Sequence, residues 1–208
     1  SVHNEAMKRV VLVVSAAIVV FLVWAVVPYW MPTTIALGPC GRDWTSPTSY
    51  GPKASPMRQV SFRVGETEGK LCYGAPAARG RDVFGVLVPW DELWRTGANE
   101  PTRLFVDGPV RMAGVDLEPG RYSIYTIPSP DDWRLFISRS TFHWGNLISD
   151  DVRAREVGTA ELASSSAPAF IEQMTFSWEP ATATDGLLAL EWEETRLEIP
   201  VESPRSAE

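Results

Sequence analysis

The chain of 208 residues carries 19 basic and 26 acidic side chains, which gives a formal net charge of −7, and 45% of its residues are hydrophobic. The acidic balance argues against a nucleic acid partner, because binding to phosphates needs a basic face. The hydrophobic content is sufficient for one sizeable core. The 9 tryptophans predict large aromatic anchors in that core, at a membrane interface or at a protein contact.

Residues 10–27, VVLVVSAAIVVFLVWAVV, contain no charged side chain. As a helix they extend about 27 Å, which is close to the thickness of the hydrocarbon layer of a bilayer. Pro28 suits the end of a helix, and Tyr29 and Trp30 suit the level of the lipid headgroups. A secretory signal has a shorter apolar run followed by small residues. We therefore predict a retained transmembrane helix over residues 9–31.

Two basic residues predict the orientation of this helix. Lys8 and Arg9 directly precede the apolar run, and the next basic residue along the chain is Arg42. The positive-inside rule then places residues 1–8 in the cytoplasm and the rest of the chain outside. Residues 1–31 carry a net charge of +1, which leaves −8 on the remainder. We expect a single-pass protein of the bacterial inner membrane, in contact with membrane lipid, whose C-terminal domain lies in the periplasm.

The segment after the helix, residues 32–57, is rich in Pro, Gly, Ser and Thr and is predicted to be an irregular linker. Cys40 and Cys72 are the 2 cysteines of the chain. Outside the membrane they can form a disulfide, and the alternative is two unpaired, buried thiols. They are too few for a four-cysteine metal site, and no histidine lies near either of them in the sequence. We predict no metal and no cofactor.

Beyond the linker, short runs of alternating hydrophobicity separated by turn residues are typical of β-strands. They occupy residues 58–64, 70–74, 102–106, 121–127, 133–138, 174–179, 187–193 and 196–201. Residues 150–162 fit a strand or a short helix, and residues 163–172 fit a loop or a helical turn. The short intervals favour antiparallel pairing. We predict an all-β fold over residues 58–201, an antiparallel β-sandwich or flattened barrel of roughly eight to ten strands, with a tail at 202–208.

Two segments, GRDVFGVLVPWDELWRTGANEPTRLFV (80–106) and LEPGRYSIYTIPSPDDWRLFIS (117–138), together with WG at 144–145, resemble a bacterial extracytoplasmic family, the domain of unknown function 2911. The shared pattern is GRxxFGxLVP, then WRxGANExT, then a segment ending in YTIP. Two departures are visible: Trp90 stands where Tyr or Phe is usual, and Glu118 and Pro119 replace a small residue. The resemblance covers residues 58–201. It implies a β-rich fold and an envelope location, and it implies no reaction.

The WRTGANE segment is the candidate site for chemistry, because Arg95, Asn99 and Glu100 place a guanidinium, an amide and a carboxylate on one glycine-containing loop. Such a set can bind a sugar or a small acid, or Glu100 can act as a general base. The structural alternative is that Arg95 and Glu100 form a pair while Asn99 and Gly97 permit a tight turn. We favour the structural interpretation.

Other chemical templates are incomplete. His143 is the one histidine beyond the apolar helix, so it does not make a usual metal site. The serines at 164–166 lack a nucleophile elbow. The acidic pairs at 131–132 and 150–151 lack the regular oxygen-ligand spacing of a calcium loop.

Two functional hypotheses follow. The first is a non-catalytic accessory subunit of a larger membrane complex, with Trp30, Trp44, Tyr50 and Trp90 as candidate partner contacts. An energy-transducing complex is our first choice, a photosynthetic reaction-centre and light-harvesting assembly before a respiratory one, although no residue carries that choice. The alternative is an envelope enzyme or a carbohydrate- or small-acid-binding module that uses the WRTGANE loop.

Overall fold

A computed structural model of the protein describes residues 2–30, 40, 54–141, 143 and 147–204. The first element is helix α1, Val2–Trp30. Its described side chains, at residues 7–9 and 11–22, are exposed. Within the described part of the chain, no helix combines the length and the hydropathy that crossing a membrane requires.

The rest of the described chain is a single antiparallel sheet of 9 strands with one short helix. The expectation of an all-β antiparallel fold is therefore confirmed. The strands lie side by side in the order β1-β2-β3-β6-β7-β8-β9-β4-β5. Their bounds are β1 Met57–Val64, β2 Thr67–Gly74, β3 Thr102–Val106, β4 Val110–Met112, β5 Val115–Leu117, β6 Gly120–Ile127, β7 Asp132–Ser138, β8 Glu156–Pro180 and β9 Asp185–Glu202, and helix α2 is Asp150–Arg153.

The two last strands are longer than the sequence pattern predicted. Residues 163–172, expected as a loop or helical turn, belong to β8, which pairs with β7 in its first part and with β9 in its second. The change of partner requires a bend, and register shifts after Ser166 and after Ile171 supply it. The two strands expected at 187–193 and 196–201 are one strand, β9, which Glu193 interrupts with a φ of +52°.

The sheet curls so that its early strands and its late strands share one core. Phe62 of β1 lies 5.3 Å from Trp178 of β8, and Tyr73 of β2 lies 4.9 Å from Phe176, measured between ring centroids. The Tyr73 hydroxyl also accepts a hydrogen bond from the Phe176 N–H at 3.0 Å. Each large apolar side chain buried in such a core contributes about 1.5–3 kcal/mol. The fully buried aliphatic residues include Leu71, Leu104, Ile124, Leu135, Leu188, Leu190, Leu197 and Ile199.

The antiparallel register defines two ends of the sheet. One end, here called the linker end, is where the chain enters β1, and it contains Met57, Gly74, Thr102, Ile127 and Asp132. The opposite end, here called the far end, holds the turn between β1 and β2 and the turn between β8 and β9. These two turns are joined there by a 2.7 Å hydrogen bond from the Gly65 N–H to the Ala183 carbonyl.

A disulfide ties the linker to the first two strands near the linker end. Cys40 and Cys72 are bonded, with their Cα atoms 5.5 Å apart and 32 positions apart in the sequence. The Cys40 N–H also donates to the side-chain oxygen of Gln59 at 3.4 Å, and Gln59 is the β1 partner of Cys72. Residue 40 is therefore fixed on the β1–β2 pair.

Replacing Cys40 and Cys72 together with serine should lower the free energy of unfolding by about 3–4 kcal/mol, because the bond closes a long loop in the unfolded chain. Urea unfolding of the full chain in mild detergent measures the difference between the double variant and the oxidised parent. The parent treated with reductant serves as the control and should unfold with the double variant. Equal unfolding midpoints for the double variant and the oxidised parent would contradict this expectation.

Candidate functional site

The connection between β2 and β3, residues 75–101, contains most of the GRxxFG…WRxGANE pattern and is here called the β2–β3 loop. Its backbone is repeatedly left-handed: φ is 55° at Arg79, 60° at Asp91, 55° at Thr96 and 66° at Asn99. A β-branched residue such as Thr96 is rarely found there, so its surroundings hold it in place. The loop therefore has a specified conformation that depends on contacts with the sheet.

The loop begins as a bridge between β2 and β8. The Ala78 N–H donates to the Glu172 carbonyl at 2.8 Å, and the Met174 N–H donates to the Pro76 carbonyl at 2.9 Å. The Glu172 carboxylate accepts a further hydrogen bond from the Arg79 N–H at 2.8 Å. These contacts attach the beginning of the loop to the bent part of β8.

Residues 83–90, here called the loop tip, fold into a compact turn over the end of the sheet. The Val88 N–H donates to the Val83 carbonyl and the Gly85 N–H donates to the Val88 carbonyl, both at 2.8 Å. The Val83 N–H donates to the Glu193 carboxylate at 3.1 Å, which connects the tip to β9. Gly85, with a φ of +90°, lies against the Trp90 indole where a Cβ atom would collide. The tip is thus pinned by its own backbone and by β9.

Five aromatic rings from three parts of the chain, the β2–β3 loop, β7 and β9, meet where the tip lies on the sheet, and they are here called the aromatic cluster. Phe84 stands at its centre, with ring centroids 5.0 Å from Trp133, 5.8 Å from Trp192, and 5.9 Å from both Trp90 and Trp94. Aromatic pairs at such separations contribute about 0.5–1.5 kcal/mol each beyond their burial. Trp90 is half-buried in this cluster. Its side chain therefore faces the domain's own core as well as solvent.

The indole N–H groups of the cluster differ in their hydrogen bonding. The Trp94 N–H donates to the Gly97 carbonyl at 3.2 Å. The indole nitrogens of Trp133 and Trp192 are buried, and neither has a hydrogen-bond partner among the described residues. The cluster is held by packing far more than by polar contacts.

After the tip, the loop joins the edge of the sheet again at the linker end. The Asp91 N–H donates to the Pro128 carbonyl, and Trp94 and Thr126 exchange a pair of backbone hydrogen bonds, all at 2.8 Å. Thr126 lies on β6 beyond the point where β3 stops pairing. Trp94 thus occupies the position that a longer β3 would fill.

Residues 95–101 form a small excursion between Trp94 and β3. The excursion closes on β2, where the Ala98 N–H donates to the Gly74 carbonyl at 3.0 Å. Gly74 has no room for a Cβ atom, because the Ala98 carbonyl lies against it. A glycine is needed at this position to let the two backbones approach.

Buried hydroxyl groups stabilise the strained part of the excursion. The Thr96 hydroxyl lies 3.0 Å from the Thr126 hydroxyl, and the Thr102 hydroxyl donates to the Thr96 carbonyl at 2.8 Å. All three threonines are fully buried. Both hydrogen bonds fix Thr96 in its left-handed conformation. The sequence analysis missed this group, because Thr126 lies on another strand and the pattern gave no signal for the pairing.

The guanidinium of Arg95 is directed to backbone carbonyls. Its Nε donates to the Gly97 carbonyl at 3.2 Å and its Nη1 donates to the Asn99 carbonyl at 3.3 Å. Burial lowers the pKa of Arg95, and the negative charge of Glu100 opposes that effect. Arg95 and Glu100 are therefore coupled electrostatically, while the hydrogen bonds from Arg95 to the two carbonyls close the turn itself.

Glu100 and Asn99 lie beside this turn. The carboxylate of Glu100 is 1% exposed, and neither of its oxygens has a hydrogen-bond partner within the described residues. The Asn99 amide donates to the Ser55 carbonyl at 3.5 Å, so it contacts the end of the linker. The structure thus brings Arg95, Asn99 and Glu100 together, with Glu100 as the polar group that the fold leaves unsatisfied.

The other residues considered from the sequence do not gather into a site. Burial lowers the pKa of His143, and the Ser140 backbone opposes that effect. The serines at 164–166 lie on β8, and the acidic pairs at 131–132 and 150–151 lie at the start of β7 and in α2. No cluster of three or more His, Cys, Asp or Glu side chains suited to a metal occurs among the described residues.

The candidate partner contacts are only partly covered by the structure. Trp44 and Tyr50 lie outside the described residues. Trp30 ends α1, and its side chain is likewise outside the described part. Trp90 is the one of the four whose surroundings are described, and they are the aromatic cluster.

The fold and the site define an all-β domain whose motif residues build a packed loop at one end of a curled sheet. The family model described as "Protein of unknown function (DUF2911)" matches residues 55–201, which is most of the chain. The chain therefore belongs to this family. No curated protein and no solved structure matches it.

Arg95→Met should lower the free energy of unfolding by about 2–4 kcal/mol, because it removes two hydrogen bonds and leaves the buried Glu100 without its nearby positive charge. Thermal unfolding of the full chain in mild detergent measures the loss. Arg63→Met is the matched control, because Arg63 forms an exposed ion pair with Glu68, and exposed pairs contribute at most about 1 kcal/mol. If Arg95→Met lowers the free energy of unfolding no more than Arg63→Met does, Arg95 does not stabilise the loop.

Proposed function

We propose that this protein is a membrane-anchored accessory subunit whose extracytoplasmic β-domain works by contact and has no catalytic role. In this proposal residues 9–31 span the bacterial inner membrane once, residues 1–8 are cytoplasmic, and the β-domain lies in the periplasm. In this proposal the curled sheet of the domain is the β-sandwich or flattened barrel predicted from the sequence. Its partners are membrane lipid and the other subunits of a larger membrane complex.

The observation that carries the proposal is that polar groups of the motif form hydrogen bonds within the domain itself. Arg95 donates to the Gly97 and Asn99 carbonyls, and Asn99 donates to the Ser55 carbonyl. Thr96 is enclosed by other threonines. An active site needs polar groups that are free to meet a substrate. Here these groups hold the loop in shape, which favours a structural role for the motif.

The compartment is supported by separate observations. The Cys40–Cys72 disulfide fits an oxidising environment such as the periplasm. Helix α1 includes the uncharged run at residues 10–27, and its exposed side chains include Leu12 and Phe21. Apolar side chains exposed along a helix need an apolar environment, and a bilayer supplies one.

The kind of membrane complex is proposed from the sequence hypothesis. An energy-transducing membrane assembly, photosynthetic before respiratory, is our working proposal, and no described contact selects it. The residues proposed to reach other subunits are Trp44 and Tyr50 in the linker, because large aromatics in a segment without its own core are suited to act as anchors.

A second function has one specific observation in its favour. The carboxylate of Glu100 is buried without a hydrogen-bond partner among the described residues. Buried polar atoms are nearly always satisfied, and exceptions often serve a ligand. A carbohydrate or small acid bound by Arg95, Asn99 and Glu100 is therefore the alternative.

The accessory role predicts that the full-length protein, extracted from its native membrane in mild detergent, migrates with other membrane proteins. Trp44→Ala combined with Tyr50→Ala should weaken this association without shifting the melting temperature.

The topology is checked with Thr182→Cys at the far end, which a membrane-impermeant maleimide should label in intact cells. Migration as a free monomer, together with turnover of an envelope sugar by the protein, would reject the proposal.

Glu100→Gln separates the two functions. If Glu100 serves the loop through its charge next to Arg95, the substitution lowers the free energy of unfolding by about 1–3 kcal/mol. The measurement is the melting curve of the full chain, with Glu66→Gln in an exposed turn as the control. An unchanged melting curve combined with lost binding of a sugar or carboxylic acid would favour the binding module.

A further inference from the structure

The disulfide limits how far the β-domain can lie from helix α1. Residues 31–39 are the chain between Trp30 and Cys40, and fully extended they reach at most about 36 Å. Without the disulfide the free segment would run to Met57, where β1 begins, and would reach at most about 95 Å. The bond therefore limits the distance between the β1–β2 pair and the end of α1 to less than half of what the linker alone would permit.

The attachment point and the loop tip lie at the same end of the sheet. Cys72 is two residues from Gly74, which ends β2 at the linker end. The tip is followed by Asp91, which is bonded to Pro128 in the turn between β6 and β7, also at the linker end. β2 and β7 are separated by β3 and β6 in the sheet, a distance of about 14 Å. The end that the linker holds near α1 is thus the end that presents the tip.

The tip presents apolar side chains outward. Val86 is 68% exposed and Leu87 is 40% exposed, and the neighbouring Pro89 is exposed as well. Phe170, 57% exposed, precedes Ile171, whose β9 partner Glu193 is bonded to the base of the tip. The remaining exposed large apolar residues described in the β-domain are Leu147 and Val157, and Val157 lies toward the far end. The tip is supported from beneath by the aromatic cluster.

We propose that the loop tip docks on the lipid headgroup region of the bilayer beside α1, with Val86, Leu87 and Pro89 in contact with lipid and Trp90 at the headgroup level. This inference deepens the proposed function and rests on its membrane span. The half-buried Trp90 side chain combines an apolar ring with a polar N–H, and such a ring suits the membrane interface.

Lipid fits this surface better than a protein partner does. Three or four exposed side chains fall well short of the roughly 1,000 Å² that a specific protein interface buries. A lipid surface needs no shape complementarity, and the short tether keeps the bilayer at a high effective concentration. The charged residues that flank the tip in the sequence are Arg79, Arg81, Asp82, Asp91 and Glu92, and their net charge is −1. A nearly neutral surface of this kind favours zwitterionic over anionic headgroups.

The test uses the full-length protein in phosphatidylcholine nanodiscs. Val86→Cys at the tip and Glu66→Cys in the far-end turn are each labelled with an environment-sensitive fluorophore, since both native cysteines are in the disulfide. Lipids with a nitroxide on the headgroup should quench the label at 86 several-fold more than the label at 66. The added substitution Leu87→Asp should reduce the quenching at 86.

Each outcome decides the matter. Equal quenching at both positions, or none at either, overturns the docking. Quenching at 86 that appears only when native membrane proteins are added to the nanodiscs assigns the tip to a protein partner and overturns the lipid proposal. Protein that fails to enter nanodiscs at all refutes the membrane span and hence the proposed function. Protein that enters but leaves the label at 86 unquenched refutes only the docking.

Discussion

Two backbone hydrogen bonds between Trp94 and Thr126 determine where the whole β2–β3 loop lies. They extend the ladder of β6 past the end of β3 and place the Trp94 indole beneath the tip. The seven residues that follow must then leave the sheet and return to Thr102, and they do so by closing on Gly74. The strained φ of Thr96, the carbonyls facing Arg95 and the burial of Glu100 are consequences of that short excursion.

The loop satisfies most of its polar groups with its own backbone and with the neighbouring strands, whereas the Glu100 carboxylate has no hydrogen-bond partner among the described residues. The carboxylate is excluded from solvent, and Arg95 compensates for its charge from nearby without a hydrogen bond from the described residues. In physical terms this is a local instability, which the aromatic cluster and the backbone pairing on either side offset. A natural chain that retains such a group either needs its charge for the fold or uses it for a ligand, and both interpretations refer to the same atom.

Among the strands that were predicted correctly, residues 58–64 show an intact alternation of polar and apolar side chains. Residues 163–172 were missed, because ASSSAPAFIE mixes small, polar and proline residues across two bulges and the period of two is lost. β4 and β5 were missed because three residues are too few to reveal a period. The motif identified the loop, and its second segment includes Thr126 and Trp133, but no local pattern showed that these residues contact the loop. Trp192 and Glu193 come from β9, outside the motif, and were missed altogether.

The bent strand β8 affects how the domain folds during synthesis. It covers Phe62 and Tyr73 of the first two strands with Trp178 and Phe176, and it pairs with residues 76–78 across almost a hundred positions of sequence. Long-range pairings of this kind slow folding, to times on the order of milliseconds to seconds. The early strands consequently have no cover while the chain is being synthesised. The domain completes its core only when its last two strands have emerged, so a chain shortened before β8 retains half a sheet with an exposed apolar face.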